Sequence, residues 1–255
     1  MLSATAFNIV FYIMIFLFGI VIGSFLNVCI YRIPLKENIV TTRSHCMNCG
    51  TQLRWYELVP LFSWLFLGGR CRTCKAPVSV QYPLIEAANG ILYVLITAVN
   101  GFNFESLLYC LLGSALLTLS VIDLRTYEIP FGINLFILAL GLIQLVYDYH
   151  NWVTYVIGFF AVSVFLEIII LLSKGKAMGG GDMKLMAACG LLLGWERILL
   201  AFLLGCILGA VIHSIRMAVS KKSHVLAMGP YLSMGVMLAA LFGNAWIDWY
   251  IGLLL

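Results

Sequence analysis

Charged residues are scarce in this chain, and their scarcity limits what the protein can be. Lys, Arg, Asp and Glu make up 10% of the 255 residues, while hydrophobic residues make up 63% and the mean hydropathy is +1.04. This composition excludes an ordinary soluble domain and indicates a polytopic membrane protein. The net charge of +4 is small, and no nucleic-acid partner is expected.

The usual catalytic sets of soluble hydrolases are also missing. The four histidines, His45, His150, His213 and His224, are scattered over predicted loops and span ends. No serine stands in a Gly-x-Ser-x-Gly elbow. No Lys or Arg precedes Arg32, so residues 1–30 lack the basic start of a signal peptide and are expected to form a retained helix.

Hydrophobic runs of the length needed to cross a bilayer are abundant. They lie near residues 5–30, 82–99, 105–122, 130–148, 152–173, 197–217 and 226–252. A shorter run, 183–194, follows three glycines and an aspartate. The chain has eight spans if this run crosses the membrane and seven if it does not.

The basic residues favour eight spans. If residues 183–194 cross, 14 of the 15 Lys and Arg residues fall on one side, with Arg197 as the exception. The positive-inside rule makes that side cytoplasmic, so both termini are predicted to face outward. The 14 are Arg32, Lys36, Arg43, Arg54, Arg70, Arg72, Lys75, Arg125, Lys174, Lys176, Lys184, Arg216, Lys221 and Lys222.

One polar stretch, residues 31–81, is long enough to form a separate module. We therefore predict three parts: a first transmembrane helix (1–30), a cytoplasmic module (31–81) and a transmembrane helical domain (82–255). The module contains two Cys-x2-Cys pairs separated by 21 residues: Cys46, Cys49, Cys71 and Cys74. This spacing is typical of a structural zinc site with four thiolate ligands. Two disulfides, free thiols or a redox pair are the alternatives, and disulfides are rare in a reducing cytoplasm.

Two aspartates stand where apolar runs meet basic loops. Asp123 ends the third span, and Asp182 follows Gly179-Gly180-Gly181. Taken singly, Asp123 could be a helix end that reaches the headgroups and pairs with Arg125, and Asp182 could be an N-cap. Taken together, both lie at cytoplasmic ends of spans, where helix packing can bring them together. Two carboxyl groups sharing one proton supply a general base and a general acid, which suffices to hydrolyse a peptide bond.

Five ordered motifs resemble the bacterial type 4 prepilin peptidases. They are Gly23-Ser24-Phe25-Leu26-Asn27-Val28-Cys29-Ile30-Tyr31-Arg32-Ile33-Pro34, the paired cysteines, Tyr82-Pro83-Leu84-Ile85-Glu86, the Asp123 turn, and Met178-Gly179-Gly180-Gly181-Asp182-Met183-Lys184-Leu185. The resemblance implies an aspartic endopeptidase of the bacterial inner membrane that removes the leader of prepilins or pseudopilins at the cytoplasmic face. Many members of the family then methylate the new N-terminus with S-adenosylmethionine. Asp123 and Asp182 match the family's catalytic aspartates, and Gly179 and Gly181 match its fixed glycines.

The chain departs from the family at two places. Phe131 stands where Asp or Asn is usual, and Met228-Gly229-Pro230-Tyr231 is a loose version of a Phe-Gly-Pro-Phe stretch. Neither is expected to touch the acid pair, but both bear on substrate preference, which the sequence leaves open together with the pilus, secretion or DNA-uptake pathway.

Three further charged residues have open roles. Lys184 either holds Asp182 in its charged state or anchors its span at the headgroups. Glu86 and Glu167 either pair with basic loops or line a substrate or methyl-donor pocket. Glu86, which lies within a motif, is a weak candidate for cofactor binding, and the residues that bind the methyl donor are otherwise unassigned.

Two other functional classes remain possible from the sequence. A proton-coupled transporter would relay protons through membrane carboxylates, but it predicts acids near the bilayer midplane and matching broken helices. A zinc-bearing membrane scaffold would perform no chemistry. Membrane lipid is an expected partner in every case, and the seven basic residues of the module favour acidic headgroups.

Overall fold

A computed structural model describes residues 4–175, 178–219 and 226–254 of the chain. Lys176, Lys221, Lys222 and His224, on which part of the topology and histidine arguments rested, lie outside the described residues. Within the described ranges all regular secondary structure is helical, apart from two isolated β-bridges in the cysteine module. The predicted all-α class is confirmed.

The helices divide between two compact units, residues 1–106 and 107–255. Nothing in this division tests the predicted boundaries near residues 30 and 81, which stay predictions. The helices of the described residues are α1 (Ala4–Leu35), α2 (Phe62–Phe66), α3 (Gln81–Asn100), α4 (Phe104–Thr126), α5 (Phe131–Tyr147), α6 (Trp152–Ala161), α7 (Ser163–Leu172), α8 (Gly180–Leu193), α9 (Trp195–Val219) and α10 (Gly229–Leu254).

Six helical segments of the described residues are long and apolar enough to cross a membrane. The chain is therefore a multi-pass membrane protein, although the predicted number of eight spans is approximate. The helix α5 has 17 residues and α8 only 14. At 1.5 Å per residue α8 is about 21 Å long, shorter than a hydrocarbon core of about 30 Å. The six segments are Phe7–Leu35, Gln81–Asn100, Phe104–Thr126, Tyr149–Leu172, Trp195–Val219 and Gly229–Leu253.

In the first unit, small residues let α1 and α3 approach closely. A Cβ atom at Gly19 would lie 2.7 Å from Gly90 Cα, and the buried Asn89 side chain donates to the Gly19 carbonyl over 2.8 Å. Near the other end of the pair, Asn27 Nδ2 donates to the Tyr82 carbonyl over 3.2 Å. The Gly-Ser-Phe-Leu-Asn and Tyr-Pro-Leu-Ile-Glu motifs thus hold these two helices together.

The predicted span 152–173 is interrupted. It forms α6 and α7, which meet at Val162. The Ser163 hydroxyl donates to the Phe159 carbonyl, a local bond of the kind that bends helices. Hydrophobic patterning could not show this break, because the segments on both sides of it are predominantly apolar.

The helix α8 forms the core of the second unit. Ten of its 14 residues are buried, and α5, α6, α7 and α9 all pack against it. Because it is buried on all sides, α8 shows no apolar stripe in its sequence. The closest approach is at Gly158 on α6 and Gly190 on α8, where a Cβ atom on either glycine would overlap the carbonyl oxygen of the other.

Arg197, the basic residue that the predicted topology places on the side opposite to the other 14, has hydrogen-bond partners in its own unit. Arg197, at the start of α9, donates to the Leu193 carbonyl over 2.8 Å and to the Tyr109 hydroxyl over 2.6 Å. Neutral oxygens of the same unit therefore satisfy part of the hydrogen-bonding capacity of this guanidinium.

Replacing Gly190 by alanine should destabilise the second unit. The added methyl group meets backbone rather than a movable side chain, so the expected loss is at or above the ~1–3 kcal/mol typical of overpacking. Thermal unfolding of purified protein in detergent measures it. Gly252→Ala is the matched control, because open space surrounds a Cβ atom there. Equal midpoints for the two variants would rule out the close contact.

Candidate active site and metal centre

Asp123 is buried in the last turns of α4. It is 5% exposed, so it is not a side chain that reaches out to the headgroups. Its Oδ2 atom accepts a hydrogen bond of 2.9 Å from the backbone N–H of Gly229, the first residue of α10. The expectation that residues 228–231 do not touch the acid pair was therefore wrong. The first N–H groups of a helix lack partners within that helix, and here one of them binds the carboxylate.

Asp182 lies in the first turn of α8 and is 9% exposed. The N-cap of this helix is Gly179, so the alternative role of Asp182 as an N-cap is wrong. Asp182 and Asp123 are close enough to interact electrostatically. Two buried acids, 59 positions apart in sequence, thus share one polar region of the second unit.

The three glycines before Asp182 differ in the space around them. A Cβ atom at Gly181 would lie 3.0 Å from Ile129 Cβ, which is too close, whereas one at Gly179 would make an ordinary contact of 3.5 Å with Asp182 Oδ2. A Cβ atom at Gly180 would meet nothing within 4 Å. The close approach of the chain to the Asp123–Pro130 turn therefore depends on Gly181.

An apolar groove begins beside Asp182. Its volume is about 450 Å³, and the two residues after Asp182, Met183 and Lys184, form part of its wall. The ammonium group of Lys184 lies 5.7 Å from the centroid of the Phe131 ring. This position fits a cation–π anchor better than a partner of Asp182. The other lining residues are Asn134, Leu135, Leu138, Phe159, Phe160, Ser163, Val164, Glu167, Ala187 and Ala188.

The four cysteines of the module in the first unit form one cluster. Their Sγ atoms all lie within 4.8 Å of one another, with Cys46 and Cys74 at 3.9 Å and Cys49 and Cys71 at 4.0 Å. A tetrahedron of sulfurs 2.3 Å from a zinc ion has edges of roughly 3.8 Å. All four cysteines are free rather than disulfide-bonded. The cluster could therefore hold a metal ion.

Both Cys-x2-Cys turns have the same backbone design. In the first, Gly50 N–H donates to the Cys46 carbonyl, and in the second, Lys75 N–H donates to the Cys71 carbonyl. Gly50 and Lys75 both adopt positive φ angles, of 70° and 60° respectively. The backbone N–H of Cys74 lowers the pKa of the Cys71 thiol, which favours the thiolate that binds metal.

The aromatic residues between the cysteine pairs do not form a common core. Trp64 packs against Gly69 and donates to the Val78 carbonyl, but Trp55 and Phe66 are 80% and 87% exposed. Trp55 and Phe66 therefore do not belong to a core of the module. Exposed aromatic rings next to membrane spans are typical of an interfacial belt.

Glu86, on α3, is buried, and residues of its own unit contact its carboxylate. Glu86 Oε2 accepts the Leu61 N–H over 2.7 Å, and the Ser24 side chain also hydrogen-bonds to it. These contacts fix the segment before α2 to the helix pair α1–α3. Glu167, in contrast, lines the groove of the second unit.

Comparison with known proteins places the chain in a family. The model of the Bacterial Peptidase A24 N-terminal domain matches residues 17–99, and that of the Type IV leader peptidase family matches residues 110–214. Proteins named prepilin leader peptidase/N-methyltransferase from Aeromonas hydrophila and Legionella pneumophila are 32% and 30% identical, each over 94% of both chains. One from Stutzerimonas stutzeri is 32% identical over 89% of both.

The chain belongs to the type IV leader peptidase family. No solved structure matches it. The two family matches fall within the two compact units, one in each. The five motifs of the sequence are therefore divided between a unit that carries the cysteine cluster and a unit that carries the acid pair.

Sequence reasoning missed two residues near the acids. Gly229 lies 106 positions from Asp123, and Asn134 looks like an ordinary polar residue of an apolar helix. The structure shows Gly229 bound to Asp123, and Asn134 Nδ2 donating to the Gly181 carbonyl over 3.3 Å. The glycine-proline pair at the start of α10 was the available signal for Gly229, since Pro230 has no N–H of its own.

Glu57 should make the stability of the cysteine module depend on pH. The Arg54 backbone N–H and the Arg72 guanidinium, 3.0 Å away, lower the pKa of Glu57. A lowered pKa contributes stability above the ordinary Glu pKa of about 4.3, and this contribution is lost as the pH falls through the folded-state value. Glu57→Gln should therefore loosen the module at neutral pH and have a shrinking effect in acid.

Hydrogen exchange of the amides of residues 46–78 measures this effect at each pH, relative to wild type. Glu37→Gln is the control, because Glu37 is exposed and the pairing with Arg54 and Arg72 is left intact. An effect of Glu57→Gln that stayed constant from neutral pH to acid would contradict the prediction.

Proposed function

We propose that this chain is a membrane aspartic endopeptidase that cleaves the leader from prepilins or pseudopilins at the cytoplasmic face. The proximity of Asp123 and Asp182, which are both buried, is the observation that carries the proposal. The relatives, named prepilin leader peptidase/N-methyltransferase, support the same activity and the same substrate class.

The chemistry follows from two acids that hold one proton between them. The ionised carboxylate takes a proton from a water molecule, whose oxygen attacks the scissile carbonyl carbon. The protonated carboxyl group gives its proton to the leaving amine as the C–N bond breaks. The Gly229 N–H holds Asp123 Oδ2 in position, so this carboxylate does not have to reorganise during the reaction.

The groove beside Asp182 suits the apolar segment of such a substrate. Its wall is formed mainly by Leu, Phe, Val and Ala side chains, which match an apolar helix in the bilayer. The basic leader would remain outside the bilayer, with the scissile bond at the level of the two acids. The excess of Lys and Arg on one side of the predicted topology supports a cytoplasmic position for this end of the spans.

Zinc is the metal that best fits the four-cysteine cluster. Four thiolates in two Cys-x2-Cys turns form a closed site, which stabilises a fold and leaves no position for a substrate. Cys46, Cys49, Cys71 and Cys74 would hold the ion. Its contribution is structural, since all four ligand positions are filled by protein.

Methylation of the new N-terminus is the second proposed activity, with S-adenosylmethionine as the methyl donor. The printed names of the relatives support it. Glu86 remains a weak candidate for the donor site, because the Leu61 N–H and the Ser24 side chain already bind its carboxylate. No finding favours the proton-coupled transporter, and Asp123 lies in the last turns of its span rather than near the middle.

Replacing either acid by its amide should abolish cleavage. Asp123→Asn and Asp182→Asn keep the side-chain size but cannot share a proton, so we expect cleavage of a prepilin peptide to fall at least ~1000-fold, as when one essential acid–base group is lost. Cleavage is followed by mass spectrometry of the products, and thermal unfolding checks that each variant is folded. Asp248→Asn, at an exposed position of α10, should cleave like wild type. Full activity in both acid variants would end the proposal.

The purified protein should contain about one zinc ion per chain. Cys46→Ser with Cys71→Ser removes one ligand from each turn, so elemental analysis should find little zinc, and the module should become sensitive to protease. Cys206→Ser is the control, because Cys206 lies on α9, outside the cluster. Unchanged zinc content in the double variant would show that the cluster is not the metal site.

A further inference from the structure

A buried carboxamide next to the acid pair has one half of its hydrogen-bonding capacity unused. Asn134, on α5, is 5% exposed, and its Nδ2 atom donates to the Gly181 carbonyl. Its Oδ1 atom has no hydrogen-bond partner among the described residues. A carbonyl oxygen can only accept, so the amide group must face Gly181, and this fixes Oδ1 on the other side.

The unused acceptor belongs to a residue of the groove wall. Asn134 lines the apolar groove together with Met183 and Lys184, the residues that directly follow Asp182. Of the other polar lining residues, Ser163 already donates to the Phe159 carbonyl, and Glu167 lies on α7. Asn134 is the neutral polar residue of the wall that hydrogen-bonds to the glycine turn carrying Asp182, through the Gly181 carbonyl.

A peptide in this groove would need such an acceptor. A substrate helix satisfies its own N–H groups, but the segment to be cleaved must unwind so that the acids can reach a peptide bond. Unwinding exposes backbone N–H groups in an apolar region, where each one without a partner costs several times RT. A lipid chain in the same groove has no donor and would make no use of Asn134.

We propose that Asn134 is a positioning residue whose Oδ1 atom accepts a backbone N–H from the unwound substrate segment beside the scissile bond. The inference rests on the proposed peptidase function and extends it to a specific contact. Because the Gly181 carbonyl holds the same carboxamide, the contact fixes the substrate relative to the turn that carries Asp182. The oxygen is covered in the free protein, so the side chains around it have to move as the peptide enters.

A double-mutant cycle tests this contact by combining a substitution at Asn134 in the enzyme with amide-to-ester substitutions in the peptide substrate. A series of synthetic prepilin peptides replaces one backbone N–H at a time by an ester oxygen, at positions on both sides of the scissile bond but not at that bond. We expect one ester position to lower the kcat/KM of the wild type by roughly 3- to 10-fold, the equivalent of one neutral hydrogen bond. With Asn134→Leu, the all-amide peptide should be cleaved more slowly by a similar factor, and that ester position should cost nothing further.

Gln144→Leu is the matched control. Gln144 is a buried carboxamide on the same helix, it also has an oxygen without a partner among the described residues, and it lies outside the groove. This variant should keep the wild-type ester profile. If Asn134→Leu does not fold, Asn134→Ala carries the same cycle.

Two results would overturn the inference. One is an Asn134 variant that slows every peptide equally and keeps the full ester penalty, as a purely structural role requires. The other is a wild type that shows no penalty at any ester position. Failure of the proposed function would look different, because the wild type would then cleave none of the peptides.

Discussion

The approach of two buried carboxyl groups, Asp123 and Asp182, is the constraint on which the second unit is built. Acids in an apolar environment are costly unless they share a proton or bind donors. The chain supplies a donor in the N–H of Gly229 and brings the acids together from α4 and α8. Such an arrangement persists only if the helices around it are held firmly.

The short helix α8 provides this support. It is packed by α5, α6, α7 and α9, and its contact with α6 is so close that only glycine fits at positions 158 and 190. With 14 residues, this core helix is shorter than the hydrocarbon core of a bilayer. Gly179, Gly180 and Gly181 directly precede Asp182 at the start of this helix, so no neighbouring side chain on that side crowds the acid.

Much of this architecture could be predicted from the sequence, for identifiable reasons. Apolar runs determine membrane helices, so the predicted spans agree with α1, α3 and α4 to within a few residues. The doubled Cys-x2-Cys spacing is a local signal, and it correctly indicated one four-sulfur cluster. Tertiary contacts left no such signal: the bond between Gly229 and Asp123, the break at Val162 and the buried position of Asn134 all depend on how distant helices pack.

The positions of the aromatic residues in the module could not be predicted from the sequence either. Trp55 and Trp64 look alike in the sequence, yet one is exposed and the other packs against Gly69. In a membrane protein, an aromatic ring is stable both in a core and at the headgroups. Composition alone therefore could not decide between these two positions.

Cross-linking between the two acid positions tests the central claim most directly. The measurement uses Asp123→Cys with Asp182→Cys, in a chain whose four cysteines outside the four-cysteine cluster are replaced by alanine, and treats membranes with a short bifunctional thiol reagent. The account predicts that fragments containing α4 and α8 become joined within one chain, as detected by mass spectrometry after proteolysis. Efficient labelling of both cysteines without any cross-link would show that the two positions do not converge.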